Sequence, residues 1–511
     1  MEERIEQLAL RSAVIYALFL IPTGILLFHA GFSDANISHL VATTWQAKFW
    51  ELSHLNKNAS RVILDILSFI GIGALVWQFL RGFAWLKNAN PAEADGKCLW
   101  SAVLLWTGLC GALLVLVVPF HSSDFYGYLN RGFQQSAFGV NPYLVTVAQT
   151  PGWSDSPLLH EHWVNNPCPY GFFFASLAGG ITALAGSSFT LAFLLFKLLN
   201  LLLLLATTAL IYRIASQLKH ERPWLPAFLF GANPIILLHV MGNGHNDILM
   251  VCLLLASLWC LLDRNWGWAC LPLLTFSVLT KYASMLALPF ILIYMLRNRQ
   301  FQAVIAGGLL SFGVLVLLGT QYVDPNQPWP WTAMLDNAGK AQHSLVAALS
   351  RASYYVADIF TNHRNEAMQV TQKLLKVLFW GGFIGFYLWQ VFRFIVRSAD
   401  FRNLLYVAGL TMTVMVAFVS AKFHPWYVVM FLPLLVLLPT SSRLYRFGIL
   451  FALFQTVAFT LIQNVHIFGT LLLIVLPAWL AWSGKSLPIP AWARWSAEDS
   501  PHPEPSLPES T

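Results

Sequence analysis

Apolar runs of roughly twenty residues recur from one end of this chain to the other. That recurrence constrains the fold more than any motif does. About twenty consecutive apolar residues are what a helix needs to cross the hydrocarbon core of a bilayer. A chain that crosses it repeatedly must satisfy its backbone polar groups within each segment, which favours helices. Composition agrees: 57% of the 511 residues are hydrophobic and only 10% are charged, whereas a soluble domain carries about a quarter charged residues. The expected fold class is all-α, a polytopic integral membrane protein. No polar stretch is long enough to bury a core of its own, so one membrane domain is expected over 1–483, with 484–511 a disordered cytoplasmic tail rich in proline.

Helices are expected at 12–30, 61–81, 98–120, 188–212, 223–241, 246–263, 267–281, 283–297, 301–320, 373–397, 403–421, 425–440, 446–464 and 467–483, about fourteen within a range of 12–15. The short, glycine-rich segment 170–186 reads as re-entrant or interfacial. The acidic N-terminus "MEERIEQLAL" lacks the layout of a cleaved signal peptide, so the first apolar run is expected to be retained. Dense basic loops occur at 213–222, 297–300, 393–403 and 441–446. All fall on one face of this topology, which the positive-inside rule makes cytoplasmic. The long loops 121–187 and 321–372 then lie outside, and the expected location is the plasma or inner membrane, crossed many times. The net charge of +7 is spread over short loops and does not point to nucleic acid. The six cysteines show neither CxxC nor Cys/His ligand spacing, so neither a disulfide nor a zinc site is expected.

Polar residues gather at helix ends in four places: "SSDFYGYLNRG" at 122–132, "GNGHND" at 242–247, "TKY" at 280–282 and "KFHPWY" at 422–427. The topology puts all four on the outer face. If 122–132 continues as a helix, Asp124, Tyr128 and Arg131 share one side of it. A carboxylate at a membrane–water boundary, walled by aromatic rings, can be desolvated and act as a general base. The competing role is structural, with Asp124 capping the helix and pairing with Arg131. Three further helices are expected to start just after these clusters: at 248 after Asn246 and Asp247, at 283 after Lys281 and Tyr282, and at Pro425 after Lys422 and His424. Each turns its positive dipole end and free N–H groups to the same side. With Lys281, Lys422 and His424 added, the array suits a phosphate or pyrophosphate; a metal would need clustered carboxylates. Lys422 as an interface lysine, and His424 and Trp426 as part of an aromatic belt, are the structural alternatives. His245 and Asp247 either handle a proton or cap a helix, with capping favoured. Tyr143 and the "PWPW" at 328–331 either stack on sugar rings or pack the loops. Lys197, mid-span, is a buried charge and a functional candidate, with Asp65 a possible partner.

These blocks carry a resemblance. "SSDFYGYLNRGFQQSAFGVNPY" resembles the first external loop of GT-C glycosyltransferases that use polyprenyl-phosphate sugars. It is most similar to the bacterial mannosyltransferase group, with its pattern D-x-Y-x-Y…G…G-x-N-P-Y. "GHNDILMVCLLLASL" and "KFHPWYVVMFLPLL" resemble later signatures of that group, and the likeness covers about 120–440 in separated blocks. The resemblance implies a many-helix GT-C core, an outward-facing site, inverting hexosyl transfer with mannose favoured, a lipid-phosphate leaving group and a lipid-linked or glycan acceptor. It implies no cofactor. Its base maps onto Asp124. The phosphate falls to Lys281, Lys422, His424 and Arg131, and sugar or acceptor contacts to Tyr126, Tyr128, Tyr143, His245, Asn246 and Asp247. The chain departs from the family where many members carry a second acidic residue: Phe125 and Tyr126 follow Asp124, which argues against a metal-dependent scheme. Two extra helices also precede the motif-bearing one. The alternatives are a transporter or flippase, which Lys197 favours and the absence of a visible inverted repeat disfavours, and a ligase that takes a lipid-linked oligosaccharide.

Overall fold

The computed structural model describes residues 2–29, 57–89, 96–119, 122–160, 163–324, 326–327, 341–360, 363–397, 400–461 and 466–483. Among them are 18 helices and no strand. In chain order these are α1 (Glu2–His29), α2 (Lys57–Asn88), α3 (Gly96–Val115), α4 (Asp124–Ser136), α5 (Phe172–Ala185), α6 (Phe189–Gln217), α7 (Trp224–Gly231), α8 (Pro234–Gly242) and α9 (Asp247–Leu262). They continue with α10 (264–278), α11 (Tyr282–Arg297), α12 (Phe301–Tyr322), α13 (Leu345–Phe360), α14 (Arg364–Val396), α15 (Phe401–Val419), α16 (Pro425–Val436), α17 (Arg443–Leu461) and α18 (His466–Trp482). Six of them are long and apolar enough to cross a membrane, or seven if the bent pair α7–α8 is one span.

The count exceeds the expected fourteen for two reasons. Three helices lie inside the segments read as loops. Of these, α4 and α13 are amphipathic and too short and polar to register as apolar runs, while α5 is a short apolar helix. The expected helix 223–241 is also two helices, bent by 43°. Its break is at Asn233–Pro234: a residue before proline is pushed out of the helical region. Asn233 then caps the new start by accepting the Ile235 N–H at 3.3 Å. The helix expected from 373 begins nine residues earlier, at Arg364, because its first turns are polar.

The core runs through α3, α6–α9 and α15–α17. Phe228 anchors it, stacked on Phe79 at 5.3 Å and edge-on to Trp106 at 5.2 Å. By contrast α12 and α14 bury only 11% of their apolar windows within the protein. They face outward, where lipid hydrocarbon can cover Leu309, Phe312, Val377 and Leu388.

Two of the helices that lead to the site end in a π-turn, at 237–242 in α8 and 414–419 in α15. Such turns widen the ladder and leave carbonyls without their usual donors. In α8 the donor is Lys197. Its ammonium, fully buried on α6, donates to the carbonyls of Met241 and Gly242, the latter at 2.8 Å. Asn200, one turn on, donates to Val240 O at 3.3 Å. The described partners of the mid-span lysine are therefore backbone carbonyls, which hold the end of α8 where the site loop leaves it. The Asp65 side chain suggested as its partner, the "PWPW" at 328–331 and the tail from 484 lie outside the described residues.

Candidate active site

The four polar clusters, spread over some three hundred residues of sequence, converge. Asp124 and Arg131 from α4, Lys281 before α11, and Lys422 and His424 before α16 line one cavity of about 810 Å³. Its lining is otherwise largely apolar and includes Met285, Leu286, Leu288, Trp380, Phe383 and Met430.

The approach of α4 to the "GNGHND" loop depends on a glycine. Gly244 has φ +73°, and a Cβ there would stand 2.2 Å from Phe125 Cδ2. Only glycine lets the loop pass under the Phe125 ring. His245 is thereby brought beside Asp124, with Nδ1 3.9 Å from Oδ2, too long for a hydrogen bond. Gly171 does the same for "TKY". A Cβ there would lie 2.1 Å from Leu279 O, and in its absence the α5 start bonds to the end of α10, Gly171 N–H to Thr280 O at 3.2 Å and Phe173 N–H to Leu279 O at 3.0 Å.

Electrostatics at the cavity are set by burial and by two lysines. Burial raises the Asp124 carboxyl above the usual carboxylate value; Lys281 and Lys422 pull it back and Asp247 pushes it up again. Lys281 donates to Asp247 Oδ1 at 2.7 Å and lies 5.3 Å from the Tyr427 ring. Asp247, favoured as a cap, instead forms this ion pair at the first position of α9; Asn246 is the capping residue and makes no side-chain cap bond. Asp247 Oδ2, Asn246 Nδ2, Trp426 Nε1 and both ring nitrogens of His245 are buried with no hydrogen-bond partner among the described residues. Buried polar atoms are seldom left so, and of these His245 stands beside Asp124. Trp426 is sandwiched between two imidazoles, 4.1 Å from His245 and 4.3 Å from His424. Burial first, and Lys422 next, hold His424 well below its usual value, so it is neutral. Burial does the same to His245.

Not every expected site residue reaches the cavity. Tyr128 is buried, its hydroxyl donating to Asn246 Oδ1 at 3.1 Å, and so supports the wall. Tyr126 is buried and stacks on His160 at 4.4 Å. Tyr143 is buried against Phe172 and Tyr322 and donates to Tyr170 O at 2.7 Å, the loop-packing role of the two left open. None of these three tyrosines lines the cavity, nor do His245, Asn246 and Asp247. Arg131 lines it, yet its guanidinium donates to Gln134 Oε1 at 2.7 Å, to Trp163 O at 3.1 Å and to Asn166 O. Sequence reasoning passed over Trp163, Tyr170 and Tyr427, all cavity-lining. Tyr427 stood in plain view at the end of "KFHPWY", whereas nothing in "HEHWVNNPCPY" marks Trp163.

A family model described as alpha-(1->6)-mannopyranosyltransferase, N-terminal domain, matches residues 23–297. The match takes in Asp124, "GNGHND" and "TKY". Alpha-(1->6)-mannopyranosyltransferase A of Corynebacterium glutamicum is 26% identical over 395 residues, covering 72% of this chain and 78% of that one. The protein of the same name from Mycobacterium tuberculosis is 29% identical over 282 residues, 52% of this chain and 51% of that one. Alpha-(1->6)-mannopyranosyltransferase B of Corynebacterium glutamicum is 24% identical over 213 residues, 40% of this chain and 34% of its own. No solved structure matches. Since the matched family model runs over more than half of its length, the chain belongs to the alpha-(1->6)-mannopyranosyltransferase family, within the GT-C group of membrane glycosyltransferases.

Proposed function

We propose that this mannosyltransferase takes its mannosyl unit from a polyprenyl-phosphate donor and passes it, with inversion, to a hydroxyl of a lipid-linked or glycan acceptor on the extracytoplasmic face. The observation that carries the reading is the mixed lining of one cavity: Asp124, Lys281, Lys422 and His424 together with apolar side chains of α11, α14 and α16. A ligand suited to both kinds of lining has a charged head and a long hydrocarbon tail. Asp124 accepts the proton of the acceptor hydroxyl as its oxygen bonds to the anomeric carbon. The bond from that carbon to the phosphate oxygen breaks, and the phosphate keeps the electron pair. Lys281 and Lys422 stabilise its charge, and neutral His424 donates one N–H. The raised Asp124 value supports the base role, since a more basic carboxylate takes a proton more readily. Lys197, which favoured a transporter, spends its charge on the carbonyls of α8 and supports the site loop instead.

The direct test is transfer of labelled mannose from polyprenyl-phosphate-mannose to a membrane lipid extract by the purified protein; no transfer under conditions where the lipid binds rejects the reading. Orientation is tested separately. Five native cysteines are buried and Cys98 is half-buried, so cysteines introduced at Gly152 and Arg299 give a readable signal. An impermeant thiol reagent is expected to label Gly152→Cys from outside and Arg299→Cys only from inside, and the reverse pattern at either position places the site on the other face. For the phosphate, a hydrogen bond to a charged group is worth about 1.5–3 kcal/mol. Lys422→Ala and His424→Ala are therefore each expected to raise the donor KM about tenfold or more with the acceptor KM little changed. An unchanged donor KM in both, at normal expression, removes the phosphate assignment.

A further inference from the structure

We propose that Trp163 is the platform on which the donor's sugar ring lies, and that Arg131 is the positioning residue that fixes this platform in the cavity wall. The inference rests on the proposed phosphate-linked donor.

Trp163 has φ +61°, a left-handed conformation that bulky side chains rarely adopt. It is held there at both ends. The buried Arg131 guanidinium, 2% exposed, donates to the Trp163 and Asn166 carbonyls. That guanidinium is itself braced by Gln134, whose amide donates to Val145 O at 3.1 Å and Thr150 Oγ1 at 3.0 Å. The indole N–H donates to Ser123 Oγ at 2.9 Å, one residue before Asp124. The Lys422 ammonium sits 5.6 Å from the centre of the indole. For all this anchoring Trp163 remains 39% exposed and lines the cavity. A large side chain held in a strained backbone and left partly open to the cavity marks a binding surface rather than core packing.

The chemistry of the occupant follows from the two anchors. A pyranose presents a face of C–H bonds, apolar and slightly positive, that complements the negative face of an indole. The donor ring is the group that lies between the attacked carbon's two partners, the acceptor hydroxyl at Asp124 and the phosphate at Lys422. Trp163 is tied to Ser123 on the first side and reaches Lys422 on the second. A phosphate held by Lys422 therefore leaves the sugar bonded to it within reach of the indole.

The test compares two ligands on the full-length protein in detergent: polyprenyl-phosphate-mannose and sugar-free polyprenyl phosphate. Trp163→Gly removes the ring and accepts the positive φ without a Cβ penalty; Trp163→Tyr keeps an aromatic face. Wild type is expected to bind the mannosyl lipid more tightly than the bare phosphate. Trp163→Gly is expected to lose about tenfold for the mannosyl lipid, the size of one aromatic stacking contact, and to leave the bare lipid phosphate almost unchanged. Trp163→Tyr should keep most of the preference. Arg131→Met should reproduce the sugar-selective loss and add little in the Trp163→Gly background. Equal losses for both lipids in Trp163→Gly would mean that the ring only props Lys422, and no loss would remove it from the site; either overturns the proposal. Failure of wild type to bind either lipid rejects the donor itself, a result distinct from both.

Discussion

Asp124→Asn, inserted and folded, is expected to turn over about 10²–10⁴-fold more slowly than wild type, the contribution of one positioned general base. Asparagine keeps the size and most of the hydrogen-bonding capacity but cannot take a proton at neutral pH. Donor affinity should survive, because the proposed phosphate site is made by Lys281, Lys422 and His424. Stability gives an independent reading. The folded protein holds the Asp124 proton more tightly than an unfolded chain would, because burial raises the carboxyl and outweighs the lowering by Lys281 and Lys422. The stability linked to that proton is complete below the unfolded pKa and is lost as pH rises through the folded one. Above the folded value the ionised carboxylate is thus a liability, and there Asp124→Asn should melt at or above the wild-type temperature. A carboxylate whose main work was to pair with Arg131 would give the opposite, a lower melting temperature with much of the activity kept. In wild type the same raised value predicts that turnover falls on the acid side at a higher pH than an ordinary carboxylate would set. A rate near wild type for Asp124→Asn would discard the base assignment.

What could be read in advance follows a physical line. Long apolar helices announce themselves by composition alone, so α3, α6 and α12 are legible to within about five residues, whereas α2, expected at 61–81, runs on to Asn88 through the mixed polar and apolar residues after its apolar run. So were the ends of helices at which chemistry collects, since polar and titratable residues beside an apolar run need a reason. Convergence of Asp124, Lys281, Lys422 and His424 on one cavity is the consequence of reading those ends on one face. The rest depended on partners that a sequence does not name. Lys197 was visible as a buried charge, yet its carbonyl partners arise only because α8 ends in a π-turn. Asp247 was read as a cap from its place before a helix, and only packing brings Lys281, 34 residues on, within 2.7 Å. Tyr126 and Tyr143 have the residue type of sugar-binding groups, but their helix face and loop turn them into buried aromatic contacts. The α13 segment has Val346, Ser350 and Ala348 buried and Tyr355, Ile359 and Phe360 exposed. Its pattern mixes polar with apolar residues, and a hydropathy run cannot register it.

The Lys281–Asp247 pair carries the second large effect, and the two partners are not equivalent. Asp247 is fully buried whereas Lys281 is 16% exposed and opens onto the cavity. Lys281→Met leaves a buried carboxylate without its cation, which costs about 3–5 kcal/mol where a pair is broken in this way. Asp247→Asn leaves an ammonium that can turn into the cavity and stay hydrated, so its cost should be clearly smaller. In Lys281→Met/Asp247→Asn no buried charge is stranded, and much of the stability lost in Lys281→Met should return, a non-additivity expected of residues in contact. Donor binding separates from stability in this series. Asp247→Asn should keep or lower the donor KM, because it releases Lys281 for the phosphate. Both variants lacking Lys281 should raise the donor KM whether or not stability is restored. Detergent-solubilised protein unfolded by heat, with donor KM measured on the same preparations, reads both quantities. Equal destabilisation by the two single substitutions, or a double variant whose loss is their sum, would mean that the pair is not the buried, asymmetric clamp described. A double variant whose donor KM returned with its stability would show that Lys281 serves the fold and not the phosphate.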